Sequence, residues 1–155
     1  FTLILLWAGL LFAAPLIGSL FTTRAAISEW YAGLNRPFFT PPAWIFGPVW
    51  TILYALMAIS AFIIWQKGLS STAVKIALGL YLVQLALNAL WTPLFFGLQM
   101  PLIAFIEILL LWLAILATIW AFWKVSAGAA LLLIPYLLWT SFAAVLNGAL
   151  WLLNR

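Results

Sequence analysis

Residues 101–123 read PLIAFIEILLLWLAILATIWAFW, and a single charged side chain, Glu107, interrupts them. At a rise of 1.5 Å per residue such a run covers about 34 Å as a helix, enough to cross a hydrocarbon layer of about 30 Å. Apolar residues lie on every side of that helix, so no face is left for water. A strand reading fails, because barrel strands alternate apolar and polar residues in short stretches broken by turns. The run is a membrane-crossing helix.

Four other runs have the same character: 3–21, 44–65, 76–96 and 129–152. Of the 155 residues 69% are hydrophobic and 5% charged, against about 25% charged in an ordinary soluble domain. Too few charges remain to coat a water-facing surface. The sequence therefore predicts an all-α integral membrane protein, one domain over 1–155 built as a single bundle of five transmembrane helices. The first run reads as a span and not as a signal peptide, since it is long, contains Pro15 and Gly18, and ends in no small-x-small cleavage site. Five spans put the termini on opposite sides and argue against two equal inverted halves.

The same arithmetic excludes several chemistries. With no His and no Cys, thiol chemistry, the usual zinc sites and the usual axial haem ligands are absent, so no metal site is expected. Glu29 and Glu107 are the only carboxylate side chains, too few for a long proton relay. The six cations are scattered over short connections and form no patch for nucleic acid. They also tie as topology signals: Lys67, Lys75 and Lys124 fall at one end of the bundle, Arg24, Arg36 and Arg155 at the other.

Short connections make the third, fourth and fifth spans antiparallel neighbours. The first connection, 22–43, differs. Its Trp30, Tyr31, Phe38 and Phe39 are too aromatic for a solvated linker, and Pro37, Pro41 and Pro42 too frequent for one helix. It is expected to fold over one mouth of the bundle as a lid.

Eleven Trp is an unusual number. Trp44, Trp65, Trp123 and Trp151 stand at span ends, where indoles anchor to the bilayer interface. Trp50, Trp91, Trp112 and Trp139 lie inside spans, where the N–H needs a partner and the ring needs space. Helical spacing aligns Trp50 with Tyr54, Asn88 with Trp91 and Phe95, and Trp139 with Ala143 and Asn147. Converging stripes of this kind would line an aromatic cavity with a few polar anchors. Packing alone, with Gln84, Asn88 and Asn147 as interhelical glue, is the competing account. Pro15, Pro93 and Pro135 favour the cavity, because each removes a donor and opens its helix. Glu107 calls for a partner at its depth, Arg24, Arg36 and Arg155 being the cations on its side. Ala144 with Gly148, or Gly79 near Ala77 and Ala86, are the small residues suited to helix association.

Residues 30–37, WYAGLNRP, and 41–54, PPAWIFGPVWTILY, resemble the signature of the translocator protein family, also called tryptophan-rich sensory proteins or peripheral-type benzodiazepine receptors. Residues 87–97, LNALWTPLFFG, and 135–147, PYLLWTSFAAVLN, match it further in the same order. The resemblance implies a five-helix membrane protein, often a homodimer, that binds porphyrins and other flat hydrophobic molecules under the first loop. Its matching positions are Tyr31, Pro42, Phe46, Trp50, Tyr54, Asn88, Trp91, Trp139, Ala143 and Leu146. Gly148 stands where animal members have Tyr, which breaks their sterol pattern and favours a bacterial source, hence a bacterial envelope membrane. Gln99 replaces a basic residue of many relatives.

Three functions are compatible with these residues. The first is a receptor or translocator for tetrapyrroles, held as ligand and not as cofactor, with metal-free porphyrin preferred over ligated haem. A second is light-dependent porphyrin degradation, in which the pigment carries the chemistry and Trp50 and Trp139 are the residues oxidised. Proton-coupled transport through Glu107 ranks last.

Overall fold

The computed structural model describes residues 29–155, and their regular structure is all helix, with no strand among them. The expected span 3–21, with Pro15, and the loop up to residue 28, with Arg24, lie outside the described residues. A short α1 (Glu29–Ala32) and a 3-10 turn (Ala43–Ile45) precede α2 (Phe46–Gln66), α3 (Thr72–Thr92), α4 (Pro101–Val125), α5 (Ala127–Leu132) and α6 (Ile134–Leu153). Among the described residues four segments are long and apolar enough to cross a membrane: α2, α3 extended to Phe95, α4, and α5 with α6. Only 33% of each of the first three is buried inside the bundle, yet every side is apolar, so the remaining faces belong to lipid.

Each boundary has a local cause. Pro48 stands in the first turn of α2, where its missing N–H deprives no carbonyl. That helix stops where the Lys67 and Gly68 N–H groups fold back on the carbonyls of Ile64 and Trp65, with Gly68 at φ +103°. Pro93 cannot continue the α3 ladder, so Pro93–Gly97 widens and the Leu98 N–H reaches back to the Pro93 carbonyl (2.9 Å). Pro101 then opens α4. The last span is not one continuous helix. It breaks at Leu133, whose N–H turns to the carbonyl of Ala130 (3.1 Å), because Pro135 has no N–H to offer the Leu131 carbonyl.

α4 packs along both α3 and α6, while α5 packs on α2 and α4. The Ser60 Oγ–H donates to the Ala129 carbonyl (2.7 Å), which puts the α4–α5 connection beside the end of α2. Lys67 and Lys124 therefore share one end, and the Asn35–Asn154 contact gathers Arg36 and Arg155 at the other. Exposed Trp44 (73%) and Trp123 fit the anchoring role. So does Trp120, 61% exposed, with the Lys124 ammonium 3.6 Å above its ring.

The small residues proposed for association divide. Ala77, Ala144 and Gly148 are buried within the chain, whereas Gly79 and Ala86 face outward on α3. Gly148 is required by packing: a Cβ there would stand 2.9 Å from Cε2 of Phe105. Gly148→Ala should lower stability by about 1–2 kcal/mol, read as thermal unfolding in detergent, because the Phe105 ring must be displaced. An unchanged midpoint would mean the ring moves freely.

Candidate functional site

The connection before α2 lies on the end of the bundle formed by α3 and α6. Tyr31, in α1, is buried against Phe95, Leu146 and Leu150, with Trp30, Leu34 and Phe39 packed beside it. Edge-to-face contacts link Trp30 and Tyr31 to Phe95 (5.3 and 6.5 Å between ring centres) and Phe39 to Phe142 (6.2 Å). Phe38 is fully exposed. The Arg36 guanidinium stands 5.5 Å from the Tyr31 ring centre. Burial raises the Tyr31 phenol above its ordinary pKa, Arg36 acting in the opposite direction, so Tyr31 is neutral at pH 7.

Under this cover two small cavities adjoin. The outer one is lined by Tyr31, Phe46, Trp50, Trp91, Phe95, Trp139, Ala143, Leu146, Asn147 and Leu150, with a free volume of about 40 Å³. The inner one, about 20 Å³, is lined by Trp50, Tyr54, Asn88, Trp91, Thr92, Ile108, Leu111, Thr140 and Ala143. Trp50, Trp91 and Ala143 belong to both and form the wall between them. These volumes hold a few waters. A macrocycle enters only if rings part, chiefly Phe46 against Trp139 (5.9 Å, edge-on) and Trp139 against Phe142 (5.4 Å).

Most residues selected from the sequence come together here. Tyr31, Phe46, Trp50, Trp91, Trp139, Ala143 and Leu146 line the outer cavity, and Tyr54 and Asn88 the inner one. Pro42 lines neither; it is exposed, and its carbonyl accepts from the Ile45 N–H (3.1 Å) in the turn leading into α2. Phe95, Leu150, Thr92, Ile108, Leu111 and Thr140 were not selected and complete the walls with Asn147. Phe95 and Asn147 follow from the stripes already drawn through Trp91 and Trp139.

The interior tryptophans differ in their N–H partners. Trp91 donates to Asn147 Oδ1 (2.9 Å), and Asn147 Nδ2 donates to the Pro101 carbonyl (2.9 Å), tying three spans at the mouth. Trp112 donates to Ser141 Oγ (2.7 Å) and lines neither cavity, so it is a packing residue. The Trp139 N–H is buried and has no hydrogen-bond partner among the described residues.

Below them runs a relay of side chains. Tyr54 Oη–H donates to Asn88 Oδ1, Asn88 Nδ2 donates to the Tyr136 oxygen, and Tyr136 Oη–H donates to Gln84 Oε1, each at 2.8 Å. Each of these three bonds joins two spans, which fixes α2, α3 and α6 relative to one another. Glu107 is 5% exposed, and neither carboxylate oxygen meets a donor among the described residues. The expected pairing with Arg36 or Arg155 is therefore not made; both cations are exposed at the bundle end, while Glu107 is buried.

The sequence profile of the TspO/MBR family matches residues 6–152. The chain belongs to the TspO/MBR family. It is 47% identical over 138 residues to the tryptophan-rich protein TspO of Archaeoglobus fulgidus, covering 88% of this chain and 87% of that one. With the tryptophan-rich sensory protein of Cereibacter sphaeroides it shares 40% over 143 residues, 91% of this chain and 88% of the other. With the human translocator protein the figure is 42% over 143 residues, 89% and 84%. This TspO/MBR chain is thus an integral, multi-pass membrane protein, and its aromatic site lies within the region its relatives share.

Proposed function

We propose that this protein binds porphyrins and similar flat hydrophobic molecules between the first connection and the bundle. The observation that carries the reading is the outer cavity itself: indole and phenyl walls with one buried indole N–H, that of Trp139, left without a partner among the described residues. Aromatic faces suit a macrocycle, and an unpaired donor in a water-poor pocket favours a ligand that brings an acceptor. Exposed Arg36, beside Tyr31 at the rim, can meet a peripheral carboxylate. With no His or Cys in the chain, metal-free tetrapyrroles fit better than haem.

Titration of the detergent-solubilised protein with free-base protoporphyrin is the test. Saturable quenching of Trp fluorescence is expected, and Trp139→Phe, which keeps an aromatic face but deletes the N–H, should weaken binding about fivefold. Quenching no greater than that of free tryptophan in the same micelles would overturn the proposal.

A further inference from the structure

The inner cavity holds a hydroxyl that declines its usual bond. Three other hydroxyls in these helices donate to the carbonyl four residues back: Thr51 to Gly47 (2.8 Å), Thr118 to Ala114 (2.7 Å), Ser141 to Leu137 (2.7 Å). Thr140 has the corresponding carbonyl available at Tyr136 and does not use it. It lines the inner cavity, is 1% exposed, and its Oγ1 is buried with no partner among the described residues. A buried hydroxyl without a partner is costly, more so where water is scarce.

The neighbouring Tyr54 and Asn88 side chains are already hydrogen-bonded. Tyr54 spends its O–H on Asn88, and Asn88 spends an N–H on Tyr136. Thr140 Oγ1 is a hydroxyl facing this cavity with no hydrogen-bond partner among the described residues, while the Tyr54 oxygen still has a lone pair. A free volume of about 20 Å³ is right for one water, which needs two or more polar partners. Trp50, Trp91 and Ala143 line both this space and the outer cavity.

We infer that the inner cavity is a polar subsite of the pocket, occupied by one water in the free protein and by a carbonyl oxygen of the ligand when one is bound, with the Thr140 hydroxyl as its donor. This rests on the proposed aromatic pocket and adds what that pocket selects: flat ligands carrying one acceptor that projects past Trp50 and Trp91. Thr140 acts as a specificity residue because a site built around a donor rejects a ligand that leaves it unpaired.

The matched pair 9-fluorenone and fluorene tests this, since the two tricycles differ only by a carbonyl in place of a methylene. Their affinities are measured by isothermal titration calorimetry for the wild type, Thr140→Val and Thr140→Ser in one detergent. Comparing the ketone-to-hydrocarbon preference between proteins cancels the different partition of the two probes into micelles. The preference should fall about fivefold in Thr140→Val and stay at the wild-type value in Thr140→Ser. Val keeps the branched shape, and helical circular dichroism checks that the variant folds. Equal preferences in wild type and Thr140→Val overturn the subsite and leave the aromatic pocket standing. Porphyrin binding without binding of either tricycle also overturns it, since an accessible subsite must admit a small flat ketone. Failure of porphyrin and tricycles alike overturns the pocket reading and the subsite with it.

Discussion

Asn88→Leu should destabilise the protein by about 2 kcal/mol, more than the loss of its two hydrogen bonds alone would cost. Interhelical hydrogen bonds in bilayers average about 0.6 kcal/mol, so the bonds to Tyr54 and Tyr136 account for roughly half. The remainder comes from the Tyr54 hydroxyl, which loses its acceptor while its residue stays packed between spans. Tyr136 is less affected, because its own proton still reaches Gln84. The double variant Asn88→Leu/Tyr54→Phe should therefore recover about 1 kcal/mol relative to Asn88→Leu, as the orphaned donor is gone. Thermal or denaturant unfolding in mixed micelles reads both values. Additive losses in the double variant would show that the relay contributes only bond by bond.

That relay was partly legible in the sequence. Asn88 and Gln84 announce themselves as amides in an otherwise apolar span, but their shared partner Tyr136 looks like any interfacial tyrosine until α6 turns it inward. The spans were legible for the same reason. A segment such as Pro101–Val125 is apolar on all sides save for Glu107 and Thr118, and Pro101 and Lys124 mark its ends. The start of α3 at Thr72, ahead of the expected residue 76, reflects Lys75, whose charge reads as a boundary although a long side chain near a span end extends to the interface. The break at Leu133 had its cause in plain view at Pro135, yet a proline predicts a kink more readily than the residue at which it falls.

The site divides along similar lines. Aromatic stripes give Trp50, Trp91 and Trp139 because large rings inside a span need an explanation. Thr140 is silent, since a threonine in a membrane helix ordinarily satisfies itself on the preceding turn and carries no visible demand. Glu107 shows the opposite failure. A carboxylate in a span demands a partner from sequence, and its two oxygens meet no donor among the described residues. Contacts made through backbone atoms are the least readable of all, and the one with the greatest leverage on the pocket is of that kind.

Asn154→Ala should speed release of a bound porphyrin about tenfold. Asn154 ends α6, and its side chain clasps the backbone of Asn35 on both sides: Oδ1 accepts from the Asn35 N–H and Nδ2 donates to the Asn35 carbonyl, each at 2.9 Å. A further donation from Nδ2 to the Leu150 carbonyl (2.7 Å) holds the amide in that orientation. Asn35 sits one residue from Arg36 and follows the α1 turn, where the Leu34 N–H bonds the Tyr31 carbonyl (3.2 Å). Releasing it frees the chain that seats Tyr31 in the outer cavity. Both amides are exposed, so each bond contributes about 0.5–1 kcal/mol after competition with water. Two lost together give about tenfold in the lid equilibrium, and a ligand sealed under the lid leaves faster by the same factor. Asn154→Asp keeps the acceptor and loses the donor, placing it between the two. Stopped-flow dissociation of protoporphyrin measures the rates, and hydrogen exchange at the Asn35 amide measures the clasp without any ligand. Faster exchange in Asn154→Ala with unchanged release would mean that the clasp holds the connection while the pocket is closed by Tyr31 and its aromatic neighbours alone.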